Sequence, residues 1–141
     1  MGTMDKLFRL MAEKKATDLF LSVGAPITIK MQGNAVPVNP QIVDMPTMRS
    51  LLAEVLKPEQ IEEFDREKEL QTRVVAYDIG VYRLSCFYQR GSPGMVARYI
   101  PVDIPKFESL QLPPVLKDVI MEKRGLVLMV GATGSGKSTT L

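Results

Sequence analysis

The sequence predicts an α+β fold: a largely antiparallel sheet with helices over the first hundred residues, then the opening strand of a separate α/β unit. Three observations carry this. Residues 17–23 and 27–32 alternate, with Leu19, Leu21, Val23, Ile27, Ile29 and Met31 on one side and polar residues mostly on the other, as strands with one covered face do. Gly33-Asn34 and Asp78-Ile79-Gly80 stand between strand-like runs as hairpin turns. A wholly apolar run at 126–130 precedes a glycine-rich loop and reads as a strand buried on both faces.

Each element has its own signal. Residues 5–15 read as a helix with Leu7, Leu10 and Met11 on one face, Asp5 in the first turn and Lys14 and Lys15 in the last. After the hairpin at Gly33-Asn34, "AVPV" returns as a short strand, which Pro37 assigns to an edge or a start. A helix at 48–56 takes Thr47 as its N-cap. Another begins with Pro58 at its first position and Glu59, Glu62 and Glu63 near its positive end. Its charged surface is a solvated face. Strands follow at 70–77 and 81–88, "RGSPG" breaks the chain, and "MVARYI" adds one more. Four prolines between 101 and 114 mark a linker, and 115–123 forms a short helix.

Composition sets limits. A chain of 141 residues suits one domain, or one domain and part of another. The net charge of +2 does not suggest a polybasic binder of nucleic acid or membrane. Cys86 is the single cysteine, so an internal disulfide is excluded, and its place in an apolar strand marks a packed thiol. The chain has no histidine. That removes the usual general base and the commonest metal ligand. No apolar run approaches membrane-spanning length and no signal-peptide core is present. The expectation is a cytoplasmic protein, without membrane insertion and without a nucleic-acid partner.

The loop after the apolar run is the strongest chemical signal. Gly131, Gly136, Lys137 and Ser138 fit G-x-x-x-x-G-K-[ST], the Walker A pattern of ATP-binding proteins. Its glycines allow successive N–H groups to converge on phosphate oxygens. Thr133, Gly134, Ser135, Gly136, Lys137, Ser138 and Thr139 supply that nest. Lys137 reaches the β- and γ-phosphates, Ser138 offers a hydroxyl to Mg²⁺, and a helix starting at the lysine points its positive end at the anion. The expected cofactors are ATP and Mg²⁺.

Several stretches resemble the opening of the PilT/PilU retraction ATPases of bacterial type IV pili: "KKATDLFLSVGAPITIKMQGNAVPVN", "YRLSCFYQR", "ARYIP" and "RGLVLMVGATGSGKSTTL". Phe20, "FYQR" and "VGATG" resemble the PilU branch. The resemblance implies a PAS-like N-terminal domain over 1–105, a linker over 106–114, and the start of a RecA-like ATPase domain over 115–141. It also implies a homo-hexameric ring at the inner-membrane face of the pilus base, working with platform proteins and a paralogous retraction ATPase. Hydrolysis there powers pilus retraction and twitching motility. In the family the acidic box, the Walker B segment and the histidine box lie beyond the position matching Leu141. The chain as it stands is therefore expected to bind but not to hydrolyse ATP, and residues 126–130, lacking sheet partners, are expected to promote aggregation.

Arg83 and Arg98 lie on adjacent expected strands, where the resemblance implies arginines that touch the γ-phosphate. With Lys137 they form the expected catalytic set. A guanidinium there neutralises charge developing on the transferred phosphoryl group. The alternative is that both are strand-surface arginines paired with carboxylates such as Asp78 or Glu69. At the level of function, the alternative to a motor fragment is a non-catalytic PAS-like module for interaction or assembly. An unrelated P-loop kinase or transporter ATPase is disfavoured by the first hundred residues.

Overall fold

The computed structural model describes residues 2–76, 79–100, 106–132 and 135–140, with Ser138 and Thr139 as backbone only. Tyr77, Asp78, residues 101–105, Thr133, Gly134 and Leu141, all of which figure in the expectations above, lie outside the described residues. The chain divides into two compact units, Met1–Val102 and Asp103–Leu141.

The first unit is built on a sheet of β1 (Asp18–Ser22), β2 (Pro26–Met31), β3 (Asn34–Ile42), β4 (Glu69–Ala76), β5 (Gly80–Gln89) and β6 (Ser92–Ile100). Its order is β3-β2-β1-β6-β5-β4, and every adjacent pair is antiparallel. Helices α1 (Thr3–Glu13), α2 (Met45–Val55) and α3 (Pro58–Glu67) contribute Phe8, Met11, Met48, Leu52 and Phe64 to a core with Leu19, Leu21, Tyr82, Leu84, Cys86, Met95 and Ala97. Strand residues of the other parity therefore form a face that takes no part in this core.

Aromatic packing anchors the core. The rings of Phe8 and Tyr82 stack at 4.1 Å between centroids, an arrangement that adds to simple burial. The Tyr82 hydroxyl donates to the Phe8 carbonyl at 3.0 Å, so the buried oxygen is satisfied. Burial pushes the Tyr82 phenol and the Cys86 thiol up to about 12. Cys86 is thus an inert packed thiol. At the rim, Arg49 of α2 donates to Asp65 of α3 at 2.7 Å and to the Tyr88 hydroxyl at 2.6 Å, while Tyr88 donates to Asp65 at 2.8 Å. This triad ties two helices to β5.

Several boundaries differ from the sequence expectation. The first hairpin turns on Gln32-Gly33, because Met31 pairs with Asn34 and both turn residues take positive φ, 48° and 85°. That geometry is the two-residue turn that follows the twist of the strands. Asn34 is therefore the first residue of β3, which runs nine residues along an edge and tolerates Pro37 and Pro40 there. Helix α1 starts at Thr3, two residues early, since the Glu54 carboxylate accepts the Met4 N–H at 2.7 Å. Helix α2 starts at Met45 with Asp44, not Thr47, as N-cap. The Asp44 carboxylate accepts the Thr47 N–H at 2.9 Å, and Pro46 fits the first turn. "RGSPG" does not break the sheet: Arg90-Gly91 forms a tight turn and β6 begins at Ser92.

The second unit is sparse. A 3-10 turn (Phe107–Leu110) and helices α4 (Val115–Val119) and α5 (Lys137–Thr140) are its regular elements among the described residues. Helix α4 is shorter than the expected 115–123. The expected strand at 126–130 does not form. Leu126, Val127, Leu128 and Val130 are 64–90% exposed, and no described strand lies beside them. A strand buried on both faces is created by its hydrogen-bonded neighbours, and apolar composition cannot substitute for them. Val127 and Met129 instead line an open groove of about 360 Å³ with Phe107, Leu116 and Ile120.

Candidate functional site

Two groups of residues carry candidate chemistry, one in each unit. In the second unit, α5 begins at Lys137, at the point the loop pattern requires. Gly136 has φ +87°, a left-handed conformation that favours glycine. A Cβ on Gly131 would lie 2.5 Å from the Ser135 hydroxyl, which would have to turn away to admit it. The Lys137 ammonium donates to the carbonyls of Gly131 and Ala132, both at 2.6 Å. It thereby folds across the loop it follows. Such an ammonium is a point charge on a flexible stem, suited to exchange these carbonyls for phosphate oxygens. Gly131, Ser135, Gly136 and Lys137 are thus gathered around one turn. The side chains of Ser138 and Thr139, like Thr133 and Gly134, are outside the described residues.

The first unit contributes the arginines. Arg83 of β5 and Arg98 of β6 are direct cross-strand partners and share the face of the sheet opposite the helices. Both are exposed. Arg98 Nε donates to Asp18 Oδ1 at 2.8 Å. Asp18 is 4% exposed, is the one buried charged residue among those described, and also accepts from the Thr17 hydroxyl at 2.8 Å. Paired and hydrogen-bonded, it meets the condition under which burial of a carboxylate is tolerated. The surface-pair alternative therefore describes Arg98, with Asp18 as its partner; Asp78 lies outside the described residues. Glu69 lies opposite Phe87. Arg83 has no ion pair among the described residues.

The sequence did not single out Asp18. Its place on the polar side of an alternating strand was visible, but the partner depends on a register between β1 and β6, eighty residues apart in the chain. Register also brings a third arginine, Arg73 of β4, opposite Arg83.

The chain is 42% identical over 137 residues to the type IV pilus ATPase PilU of Pseudomonas aeruginosa, covering 97% of this chain and 36% of that protein. It is 32% identical over 136 residues to the type IV pilus retraction ATPase PilT of the same organism, covering 96% of this chain and 40% of the relative. The chain belongs to the PilT/PilU family. A crystal structure of the pilus retraction motor PilT with bound ADP matches at a TM-score of 0.85 and 29% identity, over 99% of this chain and 41% of that one. The ATPase DotB of Legionella pneumophila matches at a TM-score of 0.76 and 24% identity, over 96% of this chain and 39% of its own. That likeness concerns the fold. No protein-family model matches the chain. The chain thus spans roughly two fifths of the PilT/PilU relatives it matches, and its six-stranded α+β unit has the PAS-like fold of the family. Among the described residues no helix is long and apolar enough to cross a membrane.

Proposed function

We propose that this chain is the N-terminal part of a hexameric motor ATPase that retracts type IV pili from the cytoplasmic face of the inner membrane. The observation that carries the reading is 42% identity to PilU over 97% of the chain. The domain assignment follows: a PAS-like domain over 1–105, a linker over 106–114, and the start of a RecA-like domain over 115–141. Homo-hexamer assembly and contacts with platform proteins of the pilus base belong to the same proposal.

ATP with Mg²⁺ is the proposed cofactor, and the chemistry it supplies is a phosphoryl group transferable to water. Backbone N–H groups of Gly131 through Thr139 would hold the phosphates. Lys137 would neutralise their charge, and Ser138 would ligate the metal. Two features support the fit: the left-handed Gly136, and the Lys137 ammonium within reach of the loop's own carbonyls. Arg83 and Arg98 would stabilise charge on the transferred group, a role in which positioning and electrostatics do most of the work. The Asp18 pair fixes Arg98 through Nε and leaves its terminal nitrogens to an anion.

The test uses the full-length motor. Arg83→Ala and Arg98→Ala should each lower Mg²⁺-dependent phosphate release at least tenfold with nucleotide binding retained, and Lys137→Ala should abolish turnover. Unchanged turnover in both arginine variants would refute their assignment. For the 141 residues alone, a complete core in the first unit and an exposed 126–130 segment favour a second reading, a non-hydrolysing assembly module. Steady phosphate release from these residues, lost on Lys137→Ala, would contradict it.

A further inference from the structure

We infer that Arg73 is the third member of a phosphate-binding row with Arg83 and Arg98, and that the row takes an extended polyphosphate anion such as a nucleoside triphosphate carries. The inference deepens the role proposed for Arg83 and Arg98 and rests on it.

The register sets Arg73, Arg83, Arg98, Asp18 and Lys30 side by side on β4, β5, β6, β1 and β2. Direct cross-strand partners share a face, so these five residues form one line across the sheet. Adjacent strands lie about 4.8 Å apart, which spreads the three arginines over about 10 Å. Like charges directly opposite one another are destabilising in a sheet. Here that opposition occurs twice in succession, Arg73 with Arg83 and Arg83 with Arg98. One carboxylate, Asp18, stands in the line, and it accepts a single Arg98 nitrogen, Nε. Among the described residues Arg73 and Arg83 have neither an ion pair nor a hydrogen-bonded side-chain partner. The positions flanking the row on the same face, Gln71, Val75, Val81, Ser85, Val96 and Ile100, carry no charge.

An arrangement that repels itself and is relieved at one end is stabilised by an anion laid along it. A line of evenly spaced guanidiniums suits an anion whose charges repeat along a chain, and bidentate donors suit phosphate oxygens. Orthophosphate would meet one or two members of the row. A polyphosphate would meet all three.

Calorimetric titration of the 141-residue chain with sodium tripolyphosphate, pyrophosphate and orthophosphate at fixed ionic strength tests this. Lys137→Ala is present throughout, so that the loop cannot account for binding. Tripolyphosphate should bind more tightly than orthophosphate. Arg73→Ala should weaken tripolyphosphate by about fivefold or more, and Arg73→Lys should recover part of the loss. Without anion, Arg73→Ala should leave the melting temperature unlowered, since it removes repulsion; a purely structural arginine would lower it. Unchanged affinity in Arg73→Ala beside a loss in Arg83→Ala would remove Arg73 from the site and leave the Arg83 and Arg98 assignment standing. Absence of tripolyphosphate binding would overturn the row as a polyphosphate site, while the turnover assay on the full-length motor judges Arg83 and Arg98 separately. Tighter binding of oligoglutamate than of tripolyphosphate would overturn the ligand class.

Discussion

Residues 19–23 and 126–130 are both short apolar-rich runs, and they meet opposite fates. Leu19 and Leu21 are fully buried between paired strands and helices, whereas Leu126, Leu128 and Val130 stand 74–90% exposed. Every buried apolar side chain among the described residues lies between Met4 and Ala97. Apolar composition nominates a strand, and hydrogen-bonded neighbours make one. β1 has β2 and β6 on its two sides. The 126–130 segment has no such neighbour among the described residues.

The largest effect is expected in the core. Tyr82→Ala removes a stacked ring and the buried hydroxyl's hydrogen bond to the Phe8 carbonyl, so it should cost about 3–5 kcal/mol in urea denaturation. A loss below 1 kcal/mol would mean the first unit is not held by this core. Alkaline pH comes next. The Cys86 thiol rises from an ordinary 9.0 to about 12 in the folded chain. A raised value means that the folded state keeps the proton longer, so stability is complete below pH 9 and declines as pH climbs towards 12. Cys86→Ala should flatten that decline, and an unchanged slope would assign it to Tyr82.

Asp44→Ala should lower the melting temperature by a few degrees. The Asp44 carboxyl is held below its usual range by the Thr47 hydrogen bond, so its contribution is present above about pH 4 and vanishes on further acidification. The variant should converge on the parent there. Leu128→Ala, in the exposed segment, should change stability by less than about 0.5 kcal/mol. A larger loss would show that residues 126–130 pack against something.

Much of the sheet was legible because alternation and turn residues report local geometry. Pro37 marked an edge strand, and Pro58 marked the start of α3. The failures share a cause in tertiary context. Glu54 lengthens α1 from fifty residues away, and a one-residue shift to Gln32-Gly33 reflects the pairing of Met31 with Asn34. At the candidate site, the pattern of Gly131, Gly136 and Lys137 is readable from spacing alone, because such a loop's requirements are local. The Asp18–Arg98 pair and the neighbourhood of Arg73 depend on strand order, and strand order is not written in any one segment.

Amide hydrogen exchange on the 141-residue chain, resolved by segment, separates a run with strand neighbours from one without. Strong protection is expected in β1, β5 and β6 and near-unprotected exchange across 126–130, with tripolyphosphate slowing exchange in β4, β5 and β6. Protection of 126–130 comparable to that of β1 would contradict that expectation, because an apolar run would then have formed its structure without strand neighbours.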